Sequence, residues 1–192
     1  MNSVFDLNKI FLHSDKISDE GVYRQSLKAS WIDTKLGPMI AISDETNLYL
    51  LEFADGKGLK RKIERLKRAT KAVIIQKSTA LIESVALELE FYFDRKIRQF
   101  MTPLHFLGSL FQNLVYEELM RIPYGQTRNY KAQASALGKS KAYRAVANAN
   151  AANQFSIIVP CHRVINSNGA LGGYSGGITR KQWLINHERC HV

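Results

Sequence analysis

The sequence predicts a mixed α/β (α+β) fold in two parts. A small antiparallel-sheet and helix domain is expected over 1–98, with 1–25 as an extension, and a mostly helical domain over 107–192. Three observations predict this. Short apolar runs joined by polar turns fill residues 27–53, as strands of an antiparallel sheet do. From residue 109 onwards the apolar spacing is helical. Between the two patterns lies IRQFMTPLHF (97–106), a proline-bearing linker.

The elements follow in order. LKASWID (27–33), PMIAIS (38–43) and NLYLLEF (47–53) read as strands joined by TKLG and DET. GKGLKRKIERLKRAT (56–70) reads as a basic amphipathic helix with Leu59, Ile63 and Leu66 on one face, its lysines and arginines forming a solvated face rather than a binding site. AVIIQ (72–76) is a further short strand, and 78–96 a helix capped by Ser78. SLFQNLVYEELMRI (109–122) is a helix with a buried stripe at 111, 114, 115, 119 and 122. TRNYKAQASAL (127–137) is a helix stopped at Gly138, and SKAYRAVANANAAN (140–153) a second helix capped by Ser140. Two helices joined by a short glycine turn fit the helix-turn-helix pattern. The second carries six alanines, Ala142 and Ala145 among them, with Arg144 as its one long cation. Small side chains allow close approach, either to the protein interior or to a nucleic-acid groove.

Bulk properties exclude several classes. With 192 residues, 45% of them apolar, the chain can build a true core. No run of about 18 apolar residues occurs, so no membrane partner is expected. The first residues carry charges inside their apolar part, unlike a secretory signal. Cys161 and Cys190 are the only cysteines, which fits free thiols in a reducing, cytoplasmic compartment. The net charge of +10 is uneven: residues 1–95 hold 15 Lys+Arg against 14 Asp+Glu, and residues 96–192 hold 12 against 3. A single-sign field confined to one half suits a polyanion, nucleic acid first.

Within that basic half, SIIVPCHR (156–163) sets a cysteine against a histidine after a run that reads as a buried strand ended by Pro160. Cys161 could be a packed thiol, a metal ligand or a nucleophile. A thiol becomes a good nucleophile as thiolate, which a neighbouring imidazole and a basic surrounding favour. ITRKQWLINHE (178–188) reads as a helix capped by Thr179, with Leu184, Ile185 and Glu188 on one face. A glutamate on an apolar face needs a partner; His162 and Arg163 are the natural ones. Cys161, His162 and Glu188 then supply nucleophile, base and orienting carboxylate. A zinc site from His187, Cys190 and His191 with Cys161 and His162 lacks paired Cys-x-x-Cys spacing, so no metal is expected.

IPYGQTRNY, KAYRAVANANAAN, IIVPCHRV and GYSGG, between Leu110 and Glu188, resemble the O6-alkylguanine-DNA alkyltransferases. The first half resembles that family's N-terminal domain, a ribonuclease-H-like α/β unit, only in length and element order. The resemblance implies that Cys161 accepts the alkyl group, His162 takes its proton through water, and Glu188 orients His162. It implies that Asn153 links the helix pair to this network and that Tyr130 acts near the flipped nucleotide's phosphate or as proton donor to the leaving guanine. Arg144 would replace the extruded base, with Arg128, Lys141, Ala142 and Ala145 on the DNA face. Val159, Gly172, Tyr174 and Ser175 would line the base pocket. The implied partner is double-stranded DNA containing O6-alkylguanine, met by a monomer without cofactor. Asn129 stands where the family usually has Ser or Thr. A helix-turn-helix regulator would explain the helix pair and the charge but not PCHR; a cysteine hydrolase would explain the triad but not the basic field.

Overall fold

The computed structural model describes residues 26–189; the 1–25 extension, Cys190 and His191 lie outside them. The described chain forms two compact units. The first holds 26–54 and Gly58–Leu107; the second holds Asp55–Lys57 and 108–189.

In the first unit, β1 (Ser26–Ile32), β2 (Met39–Ser43) and β3 (Leu48–Phe53) pair antiparallel as the sequence predicts. β4 (Val73–Gln76) joins β1 in parallel, giving the order β3-β2-β1-β4. β2 and β3 are buried along their whole length, so both sheet faces are covered. Helix α1 (Leu59–Thr70) sets Leu59, Ile63 and Leu66 against Leu27, Ala29, Ile40, Ile42 and Leu50. Alternate residues of β2 face the other way, and there Ser43 shares a hydrogen bond with Thr79 at the head of α2 (Ala80–Phe93). Two expectations are corrected. Thr79, not Ser78, caps α2, accepting from the Ile82 N–H at 3.1 Å. The basic run of α1 is not all solvated face: Lys62 is buried and ion-paired with the buried Glu52.

Residues 97–106 are also more than a linker. The Leu48 N–H donates to Pro103 O, the His105 N–H donates to Leu48 O, and the Glu88 carboxylate accepts from Met101 N and the Thr102 hydroxyl. These bonds tie the segment to the first unit, whose boundary therefore falls at Leu107.

The second unit begins with α3 (Leu110–Met120), closed by a capping box between Ser109 and Gln112. Val115, Leu119 and Ile122 are buried as expected, but Phe111 is only half-buried and Leu114 is exposed, while Tyr116 is wholly buried. Arg128–Asn129 form a two-residue strand, β5, rather than helix, and pair in parallel with β6 (Val164–Ile165). Helix α4 (Tyr130–Ala136) starts there, capped by the Asn129 side chain, which accepts from Ala132 N at 2.8 Å. Asn129 thus does what a Ser or Thr would do at that position. Gly138, at φ 68, ends the helix. A single 3-10 turn, Ser140–Ala142, leads into α5 (Tyr143–Ala151), which has no side-chain cap at either Ser140 or Ala142. Gln133 and Asn150, both buried, exchange side-chain amide bonds and lock α4 to α5.

The expected strand over 156–159 does not form. The Asn153 side chain accepts from Phe155 N at 3.0 Å and donates to Val159 O at 2.9 Å, so the backbone turns instead of laddering. Ile157 adopts φ 74 inside this turn, a strained state for a β-branched residue, costing roughly 1–2 kcal/mol. Helix α6 (Ile178–Arg189) closes the unit. It starts at Ile178, after Gly177 at φ 92, so Thr179 lies within its first turn and is not its cap.

Candidate active site

Cys161–Arg163 form one 3-10 turn, entered from Pro160 and left through β6. All three residues are buried. The pairing of β5 with β6 brings the start of α4 beside this turn. α6 lies against it and presents Lys181, Leu184, Ile185 and Glu188 on its buried face.

Glu188 is the hub. Its Oε1 lies 2.9 Å from His162 Nε2 and 3.0 Å from Arg163 Nη2, and its Oε2 accepts from Arg163 Nε at 2.8 Å and Gly125 N at 3.2 Å. Both partners foreseen for it are therefore engaged at once. Arg163 also donates to Ile122 O at 2.7 Å and lies over the Tyr124 ring. Burial works against the Glu188 carboxylate, but the His162 hydrogen bond and the Arg163 guanidinium outweigh it and hold its pKa well below the carboxylate range. Burial pushes the His162 pKa down from 6.5, against the pull of Glu188. His162 is thus a neutral base at pH 7. Its Nε2 is committed to Glu188, and its Nδ1 has no hydrogen-bond partner among the described residues.

Cys161 Sγ accepts from Asn153 Nδ2 at 3.3 Å. The same amide that folds the 155–159 turn therefore touches the sulfur. Two further groups feel the cysteine's charge. Tyr130, half-buried at the first position of α4, has its phenol pKa raised by burial and then by the Cys161 anion. It stays protonated and can donate. Lys181, wholly buried, donates to Val164 O at 2.5 Å and Gly173 O at 3.2 Å. Burial lowers its pKa to about 8, against the opposing pull of Cys161.

Gly172, Tyr174 and Ser175 are half-buried in the loop over the turn. The Tyr174 ring stands edge-on to His162, centroids 6.4 Å apart. Gly172 has φ 69, and a Cβ there would sit 3.3 Å from the Tyr130 hydroxyl and 3.1 Å from Asn166 Oδ1. Glycine is required here for both backbone and space. Val159 is wholly buried, and its carbonyl accepts from Asn153 and from the Cys161 N–H; it shapes the cysteine turn through its backbone.

On the helix pair, Lys141, Arg144 and Ala145 are exposed and Ala142 partly so. Arg144 lies over the Tyr143 ring, 5.8 Å from its centroid. Lys131 and Lys139 are exposed on the same pair. Arg128, partly exposed, is ion-paired with the buried Glu118, which also pairs with Arg121.

Lys181 was not foreseen, although the pattern held it: 181, 184, 185 and 188 fall on one helical face. Gln133 and Asn150 gave no sequence signal, since each reads as an ordinary polar helix residue. Among the described residues, no group of three or more His, Cys, Asp or Glu is placed to hold a metal ion.

The family model described as 6-O-methylguanine DNA methyltransferase, DNA binding domain, matches residues 110–190. Over 157 residues the chain is 38% identical to a methylated-DNA–protein-cysteine methyltransferase of Methanosarcina barkeri, covering 82% of this chain and 94% of that one. A constitutive methylated-DNA–protein-cysteine methyltransferase of Bacillus subtilis is 38% identical over 161 residues, with 82% and 92% covered. The crystal structure of Mycobacterium tuberculosis OGT in complex with DNA is similar in fold at a TM-score of 0.72, with 32% identity over 86% of this chain and 94% of that chain. With the Pro-Cys-His-Arg turn, its glutamate and the helix pair in place, these similarities establish that the chain belongs to the methylated-DNA–protein-cysteine methyltransferase family.

Proposed function

We propose that this chain repairs alkylated duplex DNA by direct reversal, moving the alkyl group from O6 of guanine to Cys161 and keeping it. O4-methylthymine offers the same electrophilic carbon on an exocyclic oxygen and is a second substrate of the same site. The observation that carries this reading is the state of His162: neutral and wholly buried beside the cysteine, with Nε2 held by Glu188 and Nδ1 uncommitted. That nitrogen receives the Cys161 proton, directly or across a water. The Asn153 amide and the Lys181 ammonium then stabilise the sulfur anion.

The thiolate attacks the alkyl carbon in line with the C–O6 bond. The S–C bond forms as the C–O6 bond breaks, and guanine leaves with a proton on its ring. Tyr130, kept protonated, is the donor at that edge, and the proton it gives is balanced by the one taken from the thiol. A base within the duplex cannot reach a buried sulfur, so the nucleotide is flipped out, at roughly a few kcal/mol. α5 enters the minor groove, Ala142 and Ala145 permit close approach, and Arg144 fills the vacated stack. Lys131, Lys139 and Lys141 meet phosphates. Gly172, Tyr174 and Ser175 hold the flipped base. The thioether does not hydrolyse, so each chain acts once, as a monomer and without cofactor, on DNA in the cytoplasm or nucleoid. A DNA-binding regulator would have no use for the buried His162–Glu188–Arg163 network beside a thiol.

The test mixes the chain with duplex DNA carrying O6-methylguanine labelled in its methyl group. The expected result is one label per chain on Cys161, none with Cys161→Ala, and unmodified guanine in the duplex. Binding without label would identify a regulator, and multiple turnovers with free product a hydrolase.

A further inference from the structure

The loop that carries Tyr174 and Ser175 contains Gly169, Gly172, Gly173, Gly176 and Gly177, three of them at positive φ. Glycine has many accessible backbone states, so the loop's own sequence does not fix the pocket wall. Its carbonyls are fixed from outside, one by one. Lys181 Nζ holds Gly173 O, the Lys57 N–H donates to Ser175 O at 3.0 Å, and Arg180 Nη1 donates to Gly176 O at 2.9 Å. Arg180 is in turn gripped by Asp55, with Nη1–Oδ1 at 2.7 Å and Nη2–Oδ2 at 3.1 Å. Two of these three anchors depend on Asp55–Lys57, the three residues that belong to the second unit although only Ala54 separates them from β3.

We propose that Asp55–Lys57 is a strap that positions the base pocket, with Asp55 and Arg180 as positioning residues for alkyl transfer. The proposal rests on the function given above. The ion pair is partly exposed, with side-chain exposures of 55% for Asp55 and 19% for Arg180, so its worth to global stability is small. Its geometry is bidentate, which fixes direction as well as distance. Direction is what transfer needs: the alkyl carbon must stand in line with the sulfur, and small misplacements of the base cost large factors in rate. The strap lies far outside the contiguous stretch that carries the helix pair and PCHR. A loop free to move at Ser175 and Gly176 would leave DNA binding intact and spoil alignment.

The experiment uses the full chain with Asp55→Asn, Arg180→Ala and the double variant Asp55→Asn/Arg180→Ala. Single-turnover transfer from saturating O6-methylguanine duplex, affinity for undamaged duplex, and amide hydrogen exchange at 174–177 are measured. Each single variant should slow the saturated transfer rate about tenfold, leave duplex affinity within about twofold, and speed exchange at 174–177 without changing it within α6. The double variant should lose no more than Arg180→Ala alone, because Asp55 acts through Arg180. Unchanged loop exchange and transfer in both single variants would overturn the proposal, as would losses that add in the double variant. Exchange needs no substrate: a wild-type chain that transfers nothing would fail the proposed function, while the strap's hold on the loop would still be read.

Discussion

At the residue scale the site rests on one carboxylate serving one guanidinium, one neutral base and one backbone N–H. A depressed carboxylate pKa contributes stability that is fully present above the ordinary value of 4.5 and is lost as pH falls below it. Glu188→Gln removes that contribution and leaves Arg163 buried without a carboxylate. Urea unfolding at pH 7 should show a loss of about 3 kcal/mol, and the gap to wild type should narrow below pH 4.5 as wild type loses the same term. Transfer should slow, with the pH–rate profile moved to higher pH, because His162 loses the partner that orients it. Lys181 makes a separate prediction. Its ammonium is coupled electrostatically to Cys161, so Lys181→Met should slow transfer at pH 7 by about tenfold. The wild-type rate should fall off above a pH of about 8, where the ammonium loses its proton, and the variant should lack that alkaline limb. A shared limb would assign it to another group.

At the scale of elements, the helix pair and the glycine loop were legible to different degrees. Gly138 and the alanine-rich 140–153 run announced two helices and a turn, because caps and periodicity are local. The Gln133–Asn150 lock was not legible, since which polar residues of two helices meet is decided by their packing. SIIV read as a strand because its composition suits one. Among the described residues no strand pairs with it, and the Asn153 side chain takes up the backbone groups of Phe155 and Val159. Gly172 belongs to this scale. Gly172→Ala forces an L-residue to φ 69 at roughly 1–2 kcal/mol and puts a methyl against Tyr130. Competition between O6-benzylguanine and O6-methylguanine in oligonucleotides should show the larger group penalised by about tenfold more than the smaller. Equal slowing of both would mean that the backbone, not the pocket width, is what changed.

For the whole molecule, charge is the function-bearing quantity. The second half of the sequence carries nearly all of the +10, and the exposed Lys131, Lys139, Lys141 and Arg144 bring it to the helix pair. Arg128 shares the buried Glu118 with Arg121. The three lysines assigned to phosphates predict that log K for duplex DNA falls with log salt at a slope of about −2.7, measurable by fluorescence anisotropy across a salt series. A slope near zero would remove the basic field from the account. Among the described residues no helix is long and apolar enough to cross a membrane.

By itself the sequence determined the strands of the first unit, the positions of the main helices, the cysteine with its histidine, and the need of Glu188 for a partner. Each of these follows from local periodicity, capping chemistry or the cost of burying a lone charge. Only the tertiary structure decided that Glu188 serves His162 and Arg163 together, that Asn153 turns the chain and touches the sulfur, and that Lys181 is buried against the Val164 and Gly173 carbonyls. It alone revealed that Asp55–Lys57, remote in sequence, hold the pocket loop. Which donor meets which acceptor across elements depends on packing in three dimensions, and no spacing along a chain encodes it.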